Sequence, residues 1–97
     1  MFDQAKMLWK AKQVQKELKN TEIEAKSNDG QVRVVVNAEM HVKEIEISEE
    51  ALTAANKSNL EKALQNTISQ ALSRAQALAA EKTRAVMKDM NLNIPGM

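Results

Sequence analysis

Gln31-Val32-Arg33-Val34-Val35-Val36-Asn37, followed across a short break by Val42-Lys43-Glu44-Ile45-Glu46-Ile47, is the stretch on which the fold turns. In an extended chain successive side chains point to opposite faces, so Val32, Val34 and Val36 share one face while Arg33 and Val35 take the other. Ile45 and Ile47 alternate with Glu44 and Glu46 in the same way. β-branched residues at period two fit a pleated, half-buried surface. The break near Asn37 to His41 reads as a turn. Upstream, Ile23 and Ala25 alternate with Glu22, Glu24 and Lys26, and Ser27-Asn28-Asp29-Gly30 supplies a second turn. The pattern predicts a three-stranded antiparallel meander with an acidic outer face.

Both flanks switch to helical spacing. Met7, Ala11, Val14 and Leu18 are spaced 4, 3, 4 and lie on one narrow stripe of a helix predicted over Phe2 to Lys19. Two heptads are too short for an independent coiled coil, so this seam needs a partner surface. Phe2, Ala5 and Trp9 project from the other side, next to Lys12 and Lys16, and point to a second contact. On the C-terminal side, Ser48 to Ala51 reads as a short capped turn. Ser58-Asn59-Leu60-Glu61 matches a capping box, in which the serine accepts from the amide three residues on and the glutamate reaches back. From there Leu60, Leu64, Ile68, Ala71, Leu72, Ala75, Leu78 and Ala79 form a continuous apolar face that Val86 and Met90 extend. Lys82 falls within it, so the tight packing is expected to finish before Lys82, or Lys82 to snorkel. A helix from Asn59 to Met90 is about 45 Å long and must project or meet a partner. Pro95-Gly96 ends it, and residues 91–97 read as a mobile tail after a single domain spanning 1–90.

Composition narrows the function. The chain has 97 residues, 43% hydrophobic and 28% charged, which suits one folded domain and argues against a disordered one. With no cysteine there are no disulfides, thiolate metal sites or thiol nucleophiles. No apolar run approaches the roughly 20 residues of a membrane span, and the opening residues do not resemble a secretory signal. A monomer of this size buries only about 60 to 65% of its unfolded surface. Phe2 and Trp9 are the only aromatics, so a homodimer covers faces that one chain cannot.

Catalysis lacks its parts. His41 is the only histidine, in a turn, with no cysteine or tyrosine to pair with it, and reads as a solvated loop residue. Glu44 and Glu46 share a face, which a hard metal or an acid–base pair requires, but any strand with one wet face produces that spacing. Gly30 and Gly96 are too far apart for a phosphate loop. The expectation is no enzyme, no cofactor, no metal and no small-molecule substrate.

What the chain offers instead is cations on helices. The net charge of +1 hides a division: residues 1–20 carry five lysines against Asp3 and Glu17, residues 21–50 carry eight acids against three cations, and residues 51–97 carry six cations against three acids. Lys12, Lys16 and Lys19 line one flank of the first helix, with Lys6 and Lys10 across from them. Arg84 and Lys88 lie opposite the apolar face of the last helix, and Arg74 at its edge. Cations on rigid helices neutralise phosphates and release counterions. Trp9 can stack on a base or, more simply, fill a packing contact together with the seam. The alternative is an adaptor dimer that binds another protein through Phe2, Ala5 and Trp9, its lysines only solubilising.

The run Met7 to Leu18, the Gly30-Gln31-Val32-Arg33-Val34 hairpin with Val42 to Ile47 after it, and Asn91-Leu92-Asn93-Ile94-Pro95-Gly96-Met97 resemble, in that order, the YbaB/EbfC family of bacterial nucleoid-associated proteins. The match covers nearly the whole chain. It implies an α+β homodimer: a long N-terminal helix, a three-stranded meander and a long C-terminal helix, strands joining across subunits and helices projecting like tweezers. It also implies cytoplasmic DNA binding at the nucleoid, in nucleoid organisation and gene regulation. Carried over, the DNA contacts land on Lys10, Lys12 and Lys16, then on Arg74, Arg84 and Lys88. Thr21 departs from the family pattern, standing where an aliphatic residue is usual.

Overall fold

The valine run forms the central strand of a three-stranded antiparallel sheet in the computed structural model, which describes residues 4–89. Helix α1 spans Gln4–Asn20, strand β1 Glu22–Lys26, β2 Val32–Asn37, β3 Val42–Ile47, and helix α2 Lys57–Asp89. Two 3-10 turns, Glu49–Ala51 and Ala54–Asn56, join β3 to α2. The expected α+β order is therefore the observed one. Phe2, Met90 and the Pro95-Gly96 tail lie outside the described residues.

Register follows the alternation. Ala25 sits opposite Val34 and Val34 opposite Ile45, while Arg33 faces Lys26 on one side and Glu46 on the other. Val32, Val34 and Val36 are fully buried against Ala71 and Ala75 of α2, which are themselves fully buried. Alanine at both positions lets the helix approach the sheet closely. Burying each valine contributes about 1.5–3 kcal/mol, so this small cluster carries most of the core. α2 lies across β2 and β1. β3 stays at the margin, with Val42 46% and Ile45 45% exposed on the same side of the sheet.

The turns are held by side chains. Gly30 takes φ +76°, a conformation that costs glycine little, to close the β1–β2 turn. There the Ser27 hydroxyl donates to Asp29 and itself accepts from the Val32 amide. Asn37 is buried at the β2–β3 turn. Its Oδ1 accepts from the amides of Glu39 and His41, each at 3.0 Å, and its Nδ2 donates to the Lys19 carbonyl at 3.2 Å. One amide thus ties the hairpin to the end of α1. Thr21 has a role that explains its polarity: its hydroxyl donates to the Glu17 carbonyl at 2.6 Å and caps the last turn of α1.

The helix starts depart from the sequence reading. Ser48 occupies the N-cap position of the first 3-10 turn but makes no side-chain cap bond; buried Ala51 anchors that turn instead. Ser58 is not the cap of α2. The second 3-10 turn runs straight into the helix and is capped by Thr53, which accepts from the Asn56 amide at 3.2 Å, and Glu61 pairs with Lys57 at 2.8 Å rather than reaching back.

The outer face is acidic, as expected, with a cation at its centre. Arg33 bonds Glu24 on β1 and lies 3.2 Å from Glu44 and 3.1 Å from Glu46 on β3. The hydrogen bond from Arg33 holds the Glu24 carboxyl below its ordinary pKa, and the same bond raises the guanidinium's. A depressed carboxyl stabilises the fold above its unfolded pKa, about 4.3, and loses that contribution as the pH falls through the lower folded value. Thermal melts should therefore show wild-type Tm dropping below about pH 4. In Arg33→Met three carboxylates repel one another at pH 7, so its Tm should be lower there and should hold or rise on mild acidification. Parallel pH profiles for the two proteins would refute the assignment.

Candidate nucleic-acid interface

All eight cations singled out in the sequence sit on the two helices, and the structure divides them into groups. On α1, Lys6, Lys12, Lys16 and Lys19 are exposed and Lys10 is half-buried. On α2, Arg84 and Lys88 are exposed on the face turned away from the sheet. Arg74 is engaged within the fold, where its Nη1 donates to the Glu24 carbonyl at 3.0 Å and pins α2 to β1. One guanidinium nitrogen is thus committed to the backbone while the residue stays exposed.

The two helices are clamped near their junction. Lys82, expected to end the packing or snorkel, is half-buried and its Nζ reaches Glu17 of α1 at 3.2 Å. The seam behaves unevenly. Val14 and Leu18 are half-buried where α1 meets the rest of the chain, whereas Met7 and Ala11 are exposed. Leu8 and Trp9 are 64% and 61% exposed. The first half of α1 thus presents lysines and apolar groups together.

The outward stripe of α2 is longer than the sequence reading recognised. Lys62, Asn66, Gln70, Ser73, Ala77, Ala80, Arg84 and Lys88 recur at helical spacing and are all exposed, opposite buried Ala71 and Ala75. Between Glu61 and Glu81 the helix carries no acid at all. The sequence carries this signal in Lys62 and in the neutral amides Asn66 and Gln70, which charge alone does not mark out.

Elsewhere the chemistry is plain. His41 is exposed in the β2–β3 turn, 4.0 Å from Glu39. Glu44 and Glu46 both turn toward Arg33. Among the described residues no helix is long and apolar enough to cross a membrane.

Comparison with known proteins adds a name to this architecture. The chain is 31% identical to a nucleoid-associated protein of Prochlorococcus marinus (strain MIT 9215), over 98% of this chain and 82% of the relative. It is 35% identical, over the same shares, to a nucleoid-associated protein of Prochlorococcus marinus (strain MIT 9301). The crystal structure of an uncharacterized protein from Helicobacter pylori shares the fold at a TM-score of 0.65 and 19% identity, covering 89% of this chain and 95% of that one. The model of the YbaB/EbfC DNA-binding family matches residues 1–90, and the chain belongs to that family, a non-enzymatic one of nucleoid-associated proteins.

Proposed function

We propose that the chain acts as a homodimer that binds double-stranded DNA mainly through phosphate contacts, in the cytoplasm at the nucleoid, in nucleoid organisation and gene regulation. The division of charge supports this reading most. Lys12, Lys16, Lys19, Arg84 and Lys88 project from two helices, while Glu24, Glu44 and Glu46 gather round Arg33 on the sheet's far side. A polyanion is drawn to the helices and repelled from the sheet.

Strand β3 supports the dimer. It is an edge strand, and Val42, Ile45 and Leu52 are bare, with Leu52 61% exposed. An exposed edge beside apolar side chains is a template for pairing with a second strand. Joining two β3 edges spaces two pairs of basic helices to straddle one duplex.

Fluorescence anisotropy with a labelled duplex at about 50 and 200 mM salt tests the reading. Four to six phosphate contacts per dimer give a log–log slope of roughly −4 to −5, so affinity should fall several-hundred-fold between those salts. Absence of binding at the lower salt would overturn it and favour the adaptor dimer that binds through Phe2, Ala5 and Trp9, of which Ala5 and Trp9 are exposed. Reversing charge with Lys12→Glu and Lys16→Glu should weaken binding by at least tenfold with circular dichroism and assembly mass unchanged. Retained affinity would move the contacts off α1.

A further inference from the structure

We propose that α2 meets the duplex at two points one DNA turn apart, the second being an amide-lined groove beside the helix's N-terminal half. This rests on the DNA-binding reading above and extends it to a surface to which that reading gives no role.

The groove encloses about 540 Å³ between the β1–β2 turn and α2, and every residue lining it except Ala63 is polar. Lys26 and Asn28 come from the turn side; Asn59, Lys62 and Asn66 from the helix. Asp29 is its one carboxylate. It is already engaged, accepting from the Ser27 hydroxyl at 2.6 Å and the Gln31 amide at 3.0 Å within the turn. Two lysines and six carboxamides therefore line it, of which Asn56 donates to Gln31 at 3.2 Å and the other four make no bond to each other. Carboxamides and ammonium groups are donors of the kind that hold phosphate and sugar oxygens.

Spacing joins this groove to the distal cations. Lys62 precedes Arg84 by 22 positions and Lys88 by 26 on one unbroken helix. At 1.5 Å per residue those separations are about 33 and 39 Å, bracketing the roughly 34–36 Å turn of B-form DNA. At 100° per residue Lys62, Asn66, Arg84 and Lys88 fall within about 80° of one another. Beyond Gln70, which belongs to the groove, Ser73, Ala77 and Ala80 lie between, small enough to keep the stripe low where the duplex surface passes over it. A straight helix laid along the duplex meets the same strand once per turn, and α2 carries donors at that interval.

Anisotropy titrations of the whole chain against duplexes of about 9 and 24 base pairs test this. The double variant Lys62→Ala/Asn66→Ala, altered only at exposed positions, should bind the longer duplex roughly five- to tenfold more weakly, with a salt slope shallower by about one per protomer engaged. On the shorter duplex, which cannot reach both points, it should match wild type. Asn66→Ala alone should lower affinity for the longer duplex with the slope unchanged, since it removes no charge. Unchanged affinity and slope on both lengths, with wild type binding normally, would overturn this inference alone. Equal loss on both lengths would overturn the one-turn spacing. Failure of wild type to bind either duplex would overturn the DNA-binding reading itself.

Discussion

On the proposed pairing through β3, Ile45→Lys should leave the chain a monomer and weaken duplex binding by at least a hundredfold. Ile45 pairs with Val34 across the sheet, on the side that α2 covers over β1 and β2, yet it is 45% exposed because the helix does not extend over β3. A lysine is tolerated there in the isolated protomer, where its ammonium reaches water. Buried against a second copy, it has to shed its hydration beside an identical charge. The functional loss exceeds the loss of contact area. Two arms held together make the second contact intramolecular, which raises affinity by about 10²–10⁴ over a single arm. Sedimentation should give the protomer mass, and the salt slope should fall to roughly half of its wild-type value, because half the phosphates are engaged. A retained dimer mass, or a monomer that binds with wild-type affinity and slope, would reject the role given to β3.

Asn37→Ala should cost about 3 kcal/mol and lower Tm by roughly 10–20 °C. The side chain is 1% exposed and makes three hydrogen bonds, to the amides of Glu39 and His41 and to the carbonyl of Lys19. Truncation leaves all three backbone groups without their partner in a part-buried site, and each unmet group costs about 1–3 kcal/mol less what water recovers. Met40, which follows in the turn with φ 68°, also depends on this scaffold, since a non-glycine residue holds a left-handed conformation only where its surroundings impose it. The variant should also loosen the end of α1, seen as faster hydrogen exchange at Lys19 and Asn20. A cost below about 1 kcal/mol in a denaturant titration would mean that water replaces the amide without loss.

The strands are legible because alternation is a local signal. Val32, Val34 and Val36 can be assigned to one face with no knowledge of what covers them. Helix caps are less so. The Ser58-x-x-Glu61 spacing is right for a box, but Thr53 and the 3-10 turn after it begin the helical winding earlier, and Lys57 claims Glu61. Arg74 is hard to place for a different reason. Its partner, the Glu24 carbonyl, lies fifty positions away and belongs to the backbone, so side-chain patterns carry no trace of it. Asn37 reads only as a turn residue, and its reach to α1 is likewise a product of folding. The groove arises only when the Ser27–Gly30 turn comes to rest beside Asn59 and Lys62, about thirty positions along the chain.

Ala71 and Ala75, by letting helix and sheet close on each other, leave a body only about 14 Å deep in its thinnest direction against 63 Å in its longest. A slab that slender lays its chemistry out along edges and in open grooves. Whatever it recognises must be recognised by outline and by the sign of the charge laid along its edges, and its natural counterpart is another long, charged, repeating object.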